Sequence, residues 1–389
     1  MKIIFYCQYV WGMGHFIRSL EFTRALSDHD VTLIAGGQEV EVELPPHVRL
    51  LRLPVLYMDE KFTRLIPGVP GQNVEQIQHE RKKTIYALME NLQPDLFIVE
   101  LYPFGRSMFG FELEPLLNDI REGRFGPVRV ICSLRDILVE KKDPSAYEER
   151  VLQKLNRQFD ALLIHSDPGL LRLDETFTRV DDINIPVVYT GFISQQTDPA
   201  KGRSLRRELA ISAGQKFIVA SAGGGRSGYK LLTSVIDACE SLRNRLPVRL
   251  DVFTGPFMEN EAFEKLSART VEGFRIRRYT SRFLDYLYAA DLSVSLAGYN
   301  TCMNLLVTQV PALIYPYMRQ REQPMRVNKI KNMLPMKVLD EKEVQPVPLS
   351  KHIEQLLHQT RTSNPPAVDL FGAENAASFL NRWADESIK

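Results

Sequence analysis

The first 27 residues constrain the fold most. Lys2-Ile3-Ile4-Phe5-Tyr6-Cys7 is an apolar run that reads as a buried strand. Trp11-Gly12-Met13-Gly14-His15 comes next as a glycine turn, and Phe16 to Ser27 places Phe16, Leu20, Phe22, Ala25 and Leu26 at helical spacing. Strand, glycine turn and helix form the unit that brings a ligand close to backbone amides. The turn also delivers His15 to a helix N-terminus, where the helix dipole disfavours imidazolium and biases the ring toward its neutral, proton-accepting form. A tight turn whose histidine only caps or packs is the competing interpretation of the same residues.

Similar units recur along the chain. Strand candidates fall at 31–35, 48–53, 95–100, 128–133 and 160–165, with helices at 15–27, 74–92, 107–120 and 144–158 between them. The region 184–203 reads as a boundary: a further strand is expected at Pro186 to Phe192, and the stretch from Ser194 to Arg203 is polar and contains Pro199 and Gly202. A second series then runs strand 216–221, helix 229–242, strands 248–253 and 274–277, helix 282–289, strand 291–295, helix 300–308, strand 312–315 and helix 322–332. Asp369 to Trp383 reads as a final amphipathic helix after Pro365-Pro366. This alternation predicts an α/β protein of two doubly wound, Rossmann-like parallel-sheet domains facing a central cleft, over 1–190 and 191–368, with 369–389 rejoining the first. A length of 389 residues agrees with two domains.

Charge separates the halves. Residues 1–190 hold 22 Lys and Arg against 28 Asp and Glu, and residues 191–389 hold 27 against 20. The basic second half suits an anionic ligand such as a diphosphate, although unequal solvated surfaces give the same count. A net charge of +1 argues against a nucleic-acid partner. Cys7, Cys132, Cys239 and Cys302 form no CxxC pair, and those in apolar strands read as buried thiols, fitting a reducing compartment. No stretch approaches a transmembrane span or a signal peptide. The expected location is cytoplasmic, including peripheral attachment at the inner face of a membrane.

The second half opens as the first did. Ser221-Ala222-Gly223-Gly224-Gly225-Arg226 succeeds a strand and precedes a helix, so its amides and the Arg226 charge suit phosphate oxygens. It is not a Walker A loop, and neither glycine turn is a full G-x-G-x-x-G. Further on, Ala297-Gly298-Tyr299-Asn300-Thr301 ends a strand and starts a helix that Asn300 or Thr301 can cap. Val310-Pro-Ala-Leu-Ile-Tyr-Pro-Tyr317 then leads to a helix near Glu322, with Gln323 and Arg326 on its first turn. Two helix N-termini at one strand-end edge suit a diphosphate flanked by hydroxyl-binding amides.

These motifs together resemble GT-B glycosyltransferases, and the family 28 type most closely, a bacterial-type group that includes the peptidoglycan N-acetylglucosaminyltransferase. The resemblance covers both domains in organisation, and is specific at 291–328, moderate at 221–228 and short at 11–15. It implies that the second domain binds a nucleotide-diphosphate sugar, UDP-linked in most members, and that the first binds the acceptor. Gly298, Asn300 and Thr301 match positions on the donor phosphates, and Ser221, Gly223, Gly224, Gly225 and Arg226 match the other phosphate-facing loop. Arg282, Phe283 and Leu284 lie where members hold the base against backbone. Gln323 falls where members contact the donor hexose, and Glu322 beside it is counted with the donor-binding residues. Asn304 stands where many members carry Glu for the ribose, a departure that an amide can still serve as donor and acceptor. Gly12, Met13 and Gly14 would shape the acceptor side.

Transfer with inversion needs a base for the acceptor proton and stabilisation of the departing diphosphate. His15 is the candidate base. Glu100, at a strand end on the same sheet edge, resembles the carboxylate that partners the histidine in plant-type GT-B enzymes; Asp136, after the next strand, is its rival, and an ion pair with Arg106 or Arg135 is the plain alternative for either. No cofactor or metal is expected: Asp28-His29-Asp30 spells D-x-D at the wrong sheet end, and His352 and His358 read as surface. The acceptor, lipid-linked or a small molecule, is not specified, and residues 54–72 form a long loop suited to shaping it. Two other functions share the features: a hydrolysing UDP-sugar 2-epimerase, and a non-catalytic nucleotide-sugar-binding protein.

Overall fold

A computed structural model describes every residue except Trp11, 60–62, 318–320, 363–366 and 386–389. The chain divides into two compact units, Met1–Ile193 with Val368–Lys389, and Ser194–Ala367.

In the first unit the strands are β1 (Lys2–Cys7), β2 (Asp30–Ala35), β3 (Val48–Arg52), β4 (Leu56–Met58), β5 (Leu65–Pro67), β6 (Leu96–Glu100), β7 (Arg129–Arg135), β8 (Ala161–His165) and β9 (Val187–Tyr189). The main helices are α1 (Gly14–Arg24), α2 (Val74–Leu92), α3 (Gly110–Arg121) and α4 (Pro144–Gln158). Seven strands make one parallel sheet in the order β3-β2-β1-β6-β7-β8-β9. Ile3 to Cys7 and Phe97 to Val99 are fully buried, as strands covered on both faces require. Asn73 accepts from the amides of Glu75 and Gln76 to start α2, and Asp143 accepts from Ala146 ahead of Pro144 to start α4.

The second unit contains β10 (Lys216–Ser221), β11 (Val248–Phe253), β12 (Phe274–Arg277), β13 (Leu292–Leu296), β14 (Ala312–Tyr315) and β15 (Met336–Val338). They form a parallel sheet in the order β12-β11-β10-β13-β14-β15. Its helices are α5 (Pro199–Glu208), α6 (Tyr229–Leu242), α7 (Asn260–Ser267), α8 (Phe283–Ala289), α9 (Tyr299–Thr308), α10 (Glu322–Ile330) and α11 (Pro346–Leu356). The last helix, α12 (Gly372–Asp385), belongs to the first unit, where Asn381 Oδ1 lies 2.6 Å from His29 Nε2 and Arg129 donates to the Trp383 carbonyl at 2.8 Å.

The chain divides between Ile193 and Ser194, and the polar segment from Ser194 to Arg203 then runs into α5, because Asp198 caps it, Pro199 occupies the first helical position where its missing N–H costs nothing, and Gly202 packs without a Cβ against Tyr288. Two expectations are corrected. Residues 54–72 are not a plain loop: β4 and β5 pair as an antiparallel hairpin, and Leu56, Met58 and Leu65 turn inward onto Ile77 and Phe109. Asn300 and Thr301 do not cap α9; Gly298 holds the cap position, and both residues fall inside the first turn. All four cysteines are buried free thiols.

Candidate functional site

Each sheet has one place where neighbouring strands are far apart in sequence. In the first unit it lies between β1 and β6, and in the second between β10 and β13. Chains leaving the carboxyl ends of such a strand pair diverge to opposite faces and open a crevice. The candidate residues concentrate at these two places.

The chain leaves β1 and reaches α1 through Gly12, whose φ of +74° suits glycine, and Met13, which holds the cap position without a side-chain bond. Gly14 and His15 open the helix. Glu100 is the last residue of β6, so the two side chains flank the crevice. His15 Nδ1 lies 2.6 Å from Glu100 Oε1. Arg18, one turn along α1, donates through Nη2 to the same oxygen at 2.8 Å and lies 3.0 Å from Nδ1. Guanidinium has no acceptor, so the close carboxylate contact assigns the proton to Nδ1 and leaves Nε2 as the ring's acceptor. Burial lowers the His15 pKa to about 3, against the pull of Glu100 and with help from Arg106 and Arg18, so the ring is neutral at neutral pH. Burial acts to raise the Glu100 pKa, but His15, Arg18 and Arg106 outweigh it and hold the carboxyl well below the usual range. The His15 side chain keeps 15% of its surface exposed, against 2% for Glu100. A neutral, oriented imidazole with an accessible edge can accept a proton, and the ionised carboxylate behind it stabilises the resulting cation.

Asp136 is not the carboxylate on His15. It lies just past β7, fully buried, with Arg135 Nε 3.9 Å from its Oδ1. Sequence reasoning missed Arg18. Its signal was position: a basic residue at i+3 from His15 on the helix face that packs inward. It also missed a buried chain one strand over. Ser133 Oγ lies 2.7 Å from His165 Nε2, and His165 Nδ1 lies 2.9 Å from Thr190 Oγ1. Burial and the Arg18 charge lower the His165 pKa to about 3, with Glu100 opposing. Behind β1, fully buried Arg81 binds both oxygens of Glu112 and reaches Gln8 and the Pro54 carbonyl; Tyr6 also bonds Glu112. That network fixes the end of β1 from which the His15 turn departs.

In the second unit Ser221 ends β10 and its Oγ accepts from the Gly223 amide at 3.2 Å. The three glycines beyond it do different things. Gly223, at φ +61°, faces open space. Gly225, at φ +94°, would place a Cβ 2.6 Å from the Thr254 carbonyl oxygen and 2.8 Å from the Met258 nitrogen. Gly224 accepts from the Phe257 amide at 2.9 Å. Part of this glycine run therefore serves packing against residues 254–258 rather than access for a ligand. Arg226 is exposed beyond it. The Gly298 turn and Asn300, Thr301 and Asn304 of α9 come after β13, across the crevice from Ser221, which pairs in register with Ser295. Asn304 is buried, and among the described residues its side-chain amide has no hydrogen-bond partner. Glu322 and Gln323 open α10 after β14; Gln323 Oε1 accepts from the Tyr317 amide at 2.8 Å, which ties it to the loop before 318–320. Arg282 pairs with Glu208 at 2.9 Å and Asp285 at 3.4 Å, while Phe283 and Leu284 start α8.

The remaining acid–base features lie elsewhere. His29 stands at the turn before β2, opposite the carboxyl ends. His352 lies 3.3 Å from Glu343. A cavity of about 530 Å³ lined by Met89, Pro94, Arg124 and Phe125 opens at the amino ends of β6 and β7, the edge away from His15.

This architecture recurs in known proteins. A putative UDP-N-acetylglucosamine 2-epimerase from Listeria monocytogenes is similar over 99% of this chain and 97% of its own, with a TM-score of 0.61 at 13% identity. Phytolacca americana UGT2 complexed with UDP-2fluoro-glucose and pterostilbene is similar over 99% and 94%, with a TM-score of 0.56 at 14% identity. MurG from Acinetobacter baumannii is similar over 97% and 95%, with a TM-score of 0.52 at 13% identity. No curated protein sequence matches the chain. The fold is GT-B, two parallel-sheet α/β units. Residues 222–379 match the glycosyltransferase family 28 C-terminal domain.

Proposed function

We propose that this protein is an inverting glycosyltransferase that moves a hexose from a nucleotide-diphosphate sugar, UDP-linked, to an acceptor hydroxyl without a metal or other cofactor. The observation that carries the reading is the 2.6 Å His15–Glu100 pair at the β1/β6 crevice. The acceptor O–H gives its proton to His15 Nε2. Its oxygen forms the new bond to the anomeric carbon as the carbon–phosphate oxygen bond breaks, and the nucleotide diphosphate leaves with the electron pair. Glu100 steadies the imidazolium through Nδ1–H. Amides at Ser221–Gly224 and at the start of α9, with Arg226, receive the developing phosphate charge. Asn304 is assigned to the ribose, Gln323 to the hexose and the backbone at 282–284 to the base. The family 28 domain match supports a donor in this half, and the described helices include none long and apolar enough to cross a membrane.

A second reading is an epimerase of the hydrolysing type, favoured by the Listeria neighbour. Incubation with UDP-sugars, with and without a panel of hydroxyl acceptors, separates the two. Acceptor-dependent UDP release with an inverted glycoside supports transfer. Free epimerised sugar formed equally without acceptor would replace it with the epimerase reading, and donor binding with no turnover would leave a binding protein.

A further inference from the structure

The buried network behind β1 joins segments that the sequence keeps apart. Arg81 of α2 is fully buried and donates from all three guanidinium nitrogens. Nε and Nη2 reach the two oxygens of Glu112 on α3 at 2.9 and 2.6 Å. Nη1 reaches the Pro54 carbonyl, at the entry to the β4–β5 hairpin, at 2.8 Å, and Nη2 also reaches Gln8 Oε1, just past β1, at 2.7 Å. The Arg81 Cζ lies 5.4 Å from the centre of the Phe109 ring. Phe109 shares one apolar cluster with Leu56, Met58 and Leu65 of the hairpin and with Val10. The planar guanidinium therefore holds α3, the hairpin and the chain after β1 in one register.

The contacts continue from Gln8 to the neighbour of His15. Gln8 Nε2 donates to the carbonyls of Tyr9 at 3.2 Å and Gly36 at 3.0 Å. Position 36 requires glycine, because a Cβ there would run into Gln8 Oε1. Tyr9 donates its hydroxyl to the Gln38 carbonyl at 2.5 Å, and its ring centre lies 5.2 Å from that of Phe16. Phe16 is fully buried and follows His15 on α1. Met13 caps α1 without a side-chain bond, and nothing lies within 4 Å of where a Gly12 Cβ would stand. The packing of Tyr9 on Phe16 thus carries the placement of Gln8 past the turn and into the first turn of α1.

Stability alone does not require such a network. Apolar side chains of similar volume in place of a buried ion pair often leave a protein as stable or more so. What the ion pair adds is direction, and His15 needs it: its Nδ1 sits 2.6 Å from Glu100, and a misplacement of about 1 Å at a reacting group can cost about 10²-fold in rate. We infer that Arg81 is a positioning residue for His15, acting through Gln8, Tyr9 and Phe16, and that it sets the base and the β4–β5 hairpin in a common frame. The inference rests on the reading of His15 as the base; Arg81 reaches the reaction only through these contacts.

The test uses the full chain with isotope-labelled histidine ring nitrogens, read by NMR. Tyr6→Phe/Arg81→Met/Glu112→Met replaces the network with apolar side chains, and Gln8→Met cuts only the link past β1. In the wild type the His15 signal, identified by its loss in His15→Gln, is expected as a single Nδ1–H tautomer that stays neutral down to about pH 5. The triple variant is expected to keep or raise its Tm. Its His15 ring should show mixed tautomers and titrate closer to the ordinary value of about 6.5, with the His165 signal unchanged as an internal standard. In transfer assays kcat should fall about 10–100-fold with donor affinity kept. Gln8→Met should change the ring in the same direction, and it carries the test where the triple variant does not fold. Wild-type His15 signals in either folded variant overturn the positioning role. So does a wild-type ring that already titrates near its ordinary value, which would leave nothing for Arg81 to hold. The ring is read without turnover. A variant-dependent ring in a chain that transfers no sugar would sink the transferase reading and leave Arg81 as the residue that places His15, and an unchanged ring in a chain that transfers sugar would sink only the positioning role.

Discussion

The turn after β1 and the turn after β10 occupy equivalent places, each leaving the strand at which its sheet order reverses, yet they are built from opposite materials. Around the first, ionisable side chains converge: His15, Glu100, Arg18 and Arg106 act on one another within a buried cluster. Around the second, backbone does most of the work, with Ser221 and Gly224 in local hydrogen bonds and Gly225 pressed against residues 254–258. Side chains that shift one another's protonation suit a bond-making step. Amides at strand ends suit holding a charge that arrives already formed. Under the proposed function, the difference divides two copies of one topology into a chemical half and a holding half through the few residues that leave the first strand of each sheet.

The division breaks most visibly at His15. His15→Ala is expected to lower kcat about 10²–10⁴-fold, the range of a positioned general base, with donor affinity kept. Asn304→Ala should act the other way, weakening donor binding about tenfold with little change in kcat, as the loss of one or two hydrogen bonds implies. Steady-state transfer assays with donor titrations read both. If Asn304→Ala lowers kcat as far as His15→Ala does, the two halves do not divide the work in this manner.

The same contrast explains which parts of the site were legible in the sequence. His15 and Glu100 could be paired from their places at strand ends, because a parallel sheet puts all such ends on one edge. Asp136 satisfied the same rule and was ruled out only by three-dimensional contact. Arg18 was silent, a charge on a helix that reads as surface until burial is known, and Arg106 was legible only as an ion-pair alternative for the carboxylate. The glycine run at 223–225 was legible as a tight backbone but not as a divided one, since the partner that requires Gly225 lies some thirty residues on, at 254–258. Pro199 and Gly202 were read as breakers, although proline at a first helical position and glycine under a neighbouring side chain belong inside helices.

That divided glycine run gives the next test. Gly225→Ala forces a Cβ within 2.6 Å of the Thr254 oxygen at a φ of +94°, so a loss of about 2–4 kcal/mol is expected from strain and overpacking together. Gly223→Ala meets no atom and bears only the strain of its φ of +61°, about 1–2 kcal/mol. Donor affinity should respond in the opposite order, because Gly223 is the one that leaves open space at the strand end. Chemical unfolding and donor titration of both variants measure the pair. Equal stability losses would mean that packing does not distinguish them.

The smallest effect concerns pH. His15 and His165 both have pKa values lowered to about 3 in the folded state, by burial first. In the unfolded chain each returns to about 6.5, so between these values the unfolded state binds more protons. The stability contributed by keeping the rings neutral is therefore complete above about pH 6.5 and declines as pH falls toward 3. Glu100, also held low, adds to the decline below its ordinary carboxylate range. His165→Gln should flatten the fall in Tm between about pH 6.5 and 4.5 by up to one proton's worth, without moving the pH–rate profile of transfer, because among the described residues His165 hydrogen-bonds Ser133 and Thr190 and not the His15–Glu100 pair. His15→Gln should flatten the stability curve to a similar degree while transfer is lost. A pH–rate profile that shifts in His165→Gln would instead join the buried Ser133–His165–Thr190 chain to the proton path of the first unit, and the boundary of the chemical half would have to be drawn one strand further along the sheet.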